Sequence, residues 1–109
     1  MISEKHRYLL VESTAQISGS SYDFEKKLKK AIIAVVGQLE YAEVNPRLLN
    51  IVDDRHFVVK CNLKGYKRLI VALALIKDME GLSFGLYTLK SSGTLRALLK
   101  GFGTGMASG

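Results

Sequence analysis

Glu43-Val44-Asn45-Pro46-Arg47-Leu48-Leu49-Asn50-Ile51-Val52, then Asp53-Asp54, then Arg55-His56-Phe57-Val58-Val59-Lys60-Cys61-Asn62, is the stretch that decides the fold. Two runs rich in apolar and branched residues flank an acidic two-residue turn, the pattern of a β-hairpin. Aspartate shapes such a turn by bonding its own backbone. Proline donates no ladder hydrogen bond, so Pro46 makes residues 43–52 an edge strand. Upstream, Asp23 caps a helix that carries Phe24, Leu28, Ala31, Ile32, Val35 and Leu39 at helical spacing. Lys26, Lys27 and Lys30 lie opposite that stripe, and Gly37 marks its end. A Ser/Gly linker at 17–22 joins this helix to a first strand at 6–13. Downstream, Lys64-Gly65-Tyr66 leads a second helix over 66–79, Gly81 stops it, and a fourth strand follows at 82–90. A last amphipathic helix spans 92–102, with Leu95, Leu98, Leu99 and Phe102 on one stripe. The order β-α-β-β-α-β plus a terminal helix is the α+β, ferredoxin-like split βαβ arrangement, whose second strand is an edge. Residues 1–102 form one domain on this reading, and 103–109 a flexible Gly-rich tail.

The chain has 109 residues, 48% hydrophobic and 24% charged, which places it among globular proteins rather than disordered ones. Its net charge of +6 is unevenly distributed. Residues 1–54 hold 7 Lys/Arg against 8 Asp/Glu, and residues 55–109 hold 9 against 2. An excess of that kind points to a polyanionic partner, RNA or DNA first. A single cysteine, Cys61, rules out an internal disulfide and fits a reducing compartment. Its strand-like surroundings make it a buried structural thiol. No signal-peptide pattern opens the chain, and the longest apolar run, Leu69 to Ile76, is too short to span a bilayer. A cytoplasmic protein with no membrane partner is the expectation.

No residue set builds a catalytic site. Asp53-Asp54 shape a turn rather than hold a metal. His6 and His56 sit near the starts of strands one and three, read as parallel neighbours, which would set the two rings side by side. Without Cys or carboxylate company they make no zinc site, and no cofactor or metal is expected on the protein itself. Lys64-Gly65-Tyr66-Lys67-Arg68 lacks the glycine spacing of a phosphate-binding loop but places charge at a helix start. Gly93-Thr94-Leu95-Arg96 enters the last helix through free N–H groups, an anion site in form. Lys90 and Lys100 add charge nearby. Phe57 packs under the helices, and the glycine-aromatic signature of RNA-recognition domains is absent, so backbone and shape are the features to be read. If Leu95, Leu98, Leu99 and Phe102 lie across the open sheet face, that face is closed to bases. In the second helix Leu69, Ile70, Leu73 and Ile76 make a core stripe while Val71 and Leu75 point away, which calls for a neighbour there.

Lys5-His6-Arg7-Tyr8-Leu9-Leu10 followed by Glu12, together with Gly93-Thr94-Leu95-Arg96 after a strand, resembles a small ribonuclease P protein subunit. The likeness is to the archaeal protein component two and its eukaryotic counterpart, shared with RNase MRP, and it covers essentially the whole chain. The resemblance implies an accessory subunit of an RNA-based endonuclease that removes 5′ leaders from precursor tRNA. The RNA, with Mg2+, would carry the chemistry. It also implies a TIM-barrel-like protein partner and a possible dimer of such heterodimers, with Val71 and Leu75 as partner-interface candidates. The RNA-binding residues it carries over are Lys5, His6, Arg7, Tyr8, Gly93, Thr94 and Arg96. Lys64, Lys67, Arg68, Lys90 and Lys100 are electrostatic additions from the charge pattern. The rival on the same scaffold is a small-ligand regulatory or protein-interaction module, which the wide positive field of the second half disfavours.

Overall fold

Strand periodicity sorts the apolar side chains onto two faces of a four-stranded sheet. The computed structural model describes residues 5–79 and 81–100. The tail at 103–109 and Phe102 lie outside the described residues. The elements run β1 (His6–Ser13), α1 (Ser21–Val36), α2 (Gln38–Val44), β2 (Arg47–Ile51) and β3 (His56–Asn62). A 3-10 turn at Leu63–Gly65 follows, then α3 (Tyr66–Leu75), β4 (Asp78–Met79), β5 (Leu82–Ser83), β6 (Leu86–Ser92) and α4 (Leu95–Leu99). The main sheet has the order β2-β3-β1-β6 with every neighbour antiparallel. This is the ferredoxin-like split βαβ fold, with β2 at the edge and the β4–β5 hairpin as an insertion.

Leu9, Val11, Phe57, Val59, Cys61 and Leu86 face the helices and meet Phe24, Leu28, Ile32, Leu69 and Leu73 in the main core. Phe24 packs edge-on against Phe57 with ring centroids 5.0 Å apart, which places Phe57 under the helices as expected. On the other face Leu10 and Val58 are covered by Leu98 of α4, with Tyr8, Val52 and Leu99 around them. The centre of the open face is therefore closed. Leu95 does not join the seal; it is exposed.

Several boundaries depart from the sequence reading. Ser20, not Asp23, caps α1: its hydroxyl accepts from the Asp23 N–H at 3.1 Å. The linker runs over 14–20, ending two residues earlier than expected, and Ile17 within it is buried. Gly37, at φ +88, ends α1 as anticipated, but a second short helix follows where a strand was expected to begin. Asn45, in the left-handed conformation at φ 51, closes α2. Pro46 then precedes β2 instead of lying within it, while the edge position stands. The helix expected over 66–79 stops at Leu75, because Ile76 turns extended and the chain enters the hairpin whose turn uses Gly81 at φ +84. Ile76 and Met79 are buried even so, so their spacing imitated a longer helix. The last helix has five residues. β1 and β3 are antiparallel rather than parallel: His6 stands opposite Asn62 and His56 opposite Glu12. The two histidines consequently lie at opposite ends of the sheet.

Candidate nucleic-acid interface

Antiparallel pairing gathers at one end of the sheet residues that are far apart in sequence. The start of β1, the end of β3, the start of β2 and the end of β6 all meet there. Lys5, His6 and Arg7 thus lie beside Asn62 and the turn bearing Lys64, and the Leu63 N–H donates to the Lys5 carbonyl at 3.0 Å. Lys67 follows in the first turn of α3. A helix start favours negative charge, so Lys64 and Lys67 there cost some stability that an anionic partner would offset. Tyr8 stands opposite Ser92 and Leu9 opposite Ser91, so the two end segments singled out in the sequence are adjacent strands. The same register aligns Tyr8, Lys60 and Arg47 across three strands. Lys60 and Arg47 were missed by the sequence reading; strand alternation combined with the edge position of β2 was the available signal. Glu12, Asp53 and Asp54 occupy the far end.

Arg7 is the centre of this arrangement. It points to the helix side, with its guanidinium carbon 4.9 Å from the centroid of the Tyr66 ring and Nη2 donating to Ser91 Oγ at 3.5 Å. Its Nε is buried there without a hydrogen-bond partner. A Cβ built on Gly93 would lie 3.7 Å from Nη1. Gly93 has no left-handed backbone to require glycine, so what the missing side chain leaves uncovered is the guanidinium.

Other candidates are engaged within the fold. Lys90 Nζ donates to the carbonyls of Ala97 at 3.0 Å and Lys100 at 3.4 Å, holding the end of α4. Arg68 Nη1 sits 3.6 Å from Glu40 Oε1 and 3.9 Å from Glu43 Oε1. Tyr8 is half-buried against the α4 cluster. Thr94 Oγ1 accepts from the Ala97 N–H at 3.2 Å, and the Thr94 N–H itself donates to Ser92 Oγ at 3.3 Å. The Gly93-Thr94 turn therefore satisfies part of its own backbone, against the expectation of free N–H groups. Arg96 and Lys100 are exposed beside it.

Asp53 does the work of a turn residue. Partial burial raises its pKa, but the Arg55 N–H at 2.9 Å and the His56 ring at 2.8 Å outweigh that and hold the carboxyl below its ordinary value. Among the described residues no group of three or more His, Cys, Asp or Glu is placed to hold a metal ion. Cys61 is buried, and burial pushes its thiol up to about 11 despite the Arg7 charge. Among the described residues no helix is long and apolar enough to cross a membrane. Val71 and Leu75 are 58% and 56% exposed, the outward face that the sequence anticipated.

A family model described as Rpp14/Pop5 matches residues 7–102, which takes in the first end segment from Arg7 onward and the whole of the second. The chain belongs to the Rpp14/Pop5 family. Members of the Rpp14/Pop5 family are protein subunits of ribonuclease P and MRP, in which the RNA is catalytic. A chain of the cryo-EM structure of yeast ribonuclease MRP shares the fold, with a TM-score of 0.67 at 14% identity over 99% of this chain and 95% of that one. No curated protein matches the sequence.

Proposed function

We propose that this chain is an RNA-binding accessory subunit of ribonuclease P that assists the catalytic RNA in removing 5′ leaders from precursor tRNA. The convergence of Lys5, Arg7, Arg47, Lys60, Lys64 and Lys67 on one end of the sheet carries the reading. Such a patch neutralises phosphates and positions an RNA without acid–base chemistry of its own. Mg2+ belongs to the RNA. The family and the yeast complex support a ribonucleoprotein setting with further protein subunits. Val71 and Leu75 offer an apolar face on α3 for a TIM-barrel-like subunit, and a dimer of heterodimers is the assembly we propose.

Precursor-tRNA cleavage by a reconstituted ribonuclease P RNA at low magnesium, with and without this chain and its TIM-barrel-like partner, tests the reading. Stimulation requiring both proteins is expected. Lys5→Ala/Lys64→Ala/Lys67→Ala should reduce it and lower the salt dependence by about one unit of slope per lysine. A ligand-induced rise in melting temperature without RNA affinity would instead favour the small-ligand regulatory module.

A further inference from the structure

The solvent side of α1 has more structure than a solvated helix face. Tyr22, Lys26, Lys29 and Lys30 share one side of the helix. With Tyr41 of α2 and Arg47 of β2 they wall a groove of about 620 Å³. Each aromatic ring carries an ammonium: Lys26 Nζ lies 5.3 Å from the Tyr22 centroid and Lys29 Nζ 5.7 Å from the Tyr41 centroid. These contacts hold otherwise flexible charges at the walls. Glu25 is the one carboxylate in the lining, and it accepts the Leu48 N–H at 3.1 Å, which directs it to the edge strand. Burial, with Glu25 nearby, pushes the Tyr41 phenol up.

We infer that this groove is a second nucleic-acid site, meeting the sheet-end patch only at Arg47, which takes a single strand with its phosphates on Lys26, Lys29 and Lys30 and its bases against Tyr22 and Tyr41. Cations alone would serve an acidic peptide equally well; the two aromatic rings favour nucleobases, which stack on them whatever their sequence. A duplex spreads its phosphates over a wider surface than this groove presents. The identity of the polyanion rests on the subunit reading above, and the location is additional to it.

Fluorescence anisotropy of a short fluorescein-labelled oligouridine with the full chain tests the groove. Lys26→Ala/Lys29→Ala/Lys30→Ala is expected to weaken binding about tenfold or more and to flatten the salt dependence by about two units of slope, with circular dichroism unchanged. Lys5→Ala/Lys64→Ala/Lys67→Ala, at the sheet end, is expected to weaken oligouridine binding less than the groove variant does, by about threefold or more. Should the triple groove variant lose its circular dichroism, Lys30→Glu repeats the test at one exposed position. Equal losses in both variants overturn the inference in favour of diffuse attraction. Unchanged affinity in the groove variant, or no oligouridine binding by the full chain, overturns it too. A glutamate-rich peptide that displaces the oligouridine at equal charge assigns the groove to an acidic protein and also overturns it. No cleavage enters the measurement, so a chain that fails it yet stimulates ribonuclease P RNA loses the groove and keeps its subunit role.

Discussion

Arg7 is held by the fold at the sheet end that the proposed RNA site uses. It ties β1 to β6 through Ser91 and to α3 through the Tyr66 ring, and Gly93 leaves its outer edge uncovered. The two contributions separate by mutation. Arg7→Ala removes the cation–π contact and the strut, and should cost about 1–2 kcal/mol in chemical denaturation as well as RNA affinity. Gly93→Val places branched carbon over the guanidinium on backbone that tolerates it. It should leave the melting temperature nearly unchanged while weakening RNA binding, read by filter binding. The sequence motif contained Arg7 and Gly93 but not their contact, because 84 residues separate Arg7 from Ser91 and only the β1–β6 register joins them. Asp53 gives a pH test. Its folded pKa is depressed below the ordinary 3.8, so its contribution is present above that value and is lost as pH falls through the folded pKa. Acidification from about pH 5 to pH 3 should therefore lower the melting temperature of the parent chain more steeply than that of Asp53→Asn.

At the scale of elements, local chemistry set what was legible. β1 and β3 carry unbroken apolar and branched runs, and their bounds follow the sequence closely. α2 escaped because a seven-residue helix has too few turns for periodicity, has no side-chain cap at Gly37, and ends beside a proline that drew the reading toward a strand. The β4–β5 hairpin escaped because Ile76 and Met79 are buried at helical spacing while the backbone is extended. Gly65 links two of these elements. Its φ of −110 is open to any residue, yet a Cβ there would meet Val44 Cγ2 at 2.7 Å and the Val44 Cα at 3.3 Å. The glycine is needed for close approach of α2 to the start of α3. Gly65→Ala should cost about 1–3 kcal/mol by overpacking, measured as a lower denaturant midpoint with an unchanged slope.

At the scale of the molecule, charge is organised by topology and not by position along the chain. Counting by halves concealed the lysines of α1, which are offset in sequence partly by Glu12, Asp53 and Asp54, acids that the fold places at the far end of the sheet. It also concealed Arg47 and Lys60, which join Tyr8 only through the ladder. Three antiparallel pairings put the basic strand ends together and leave Glu12, Asp53 and Asp54 at the other end, so the domain presents a polarised surface to an approaching polyanion. Polarity makes docking directional, and that has a measurable signature. Removing negative charge at the far end, as in Glu12→Gln/Asp54→Asn, weakens a long-range repulsion without touching the contact. It should raise the association rate at low salt about two- to fivefold, and leave the salt slope of the equilibrium constant unchanged. Removing Lys5, Lys64 and Lys67 should lower that slope by about three units. Stopped-flow association and equilibrium titration over a salt series distinguish the two responses. If both ends altered the slope equally, the RNA would be sampling the whole surface, and the convergence of cations at one sheet end would have no role in orienting it.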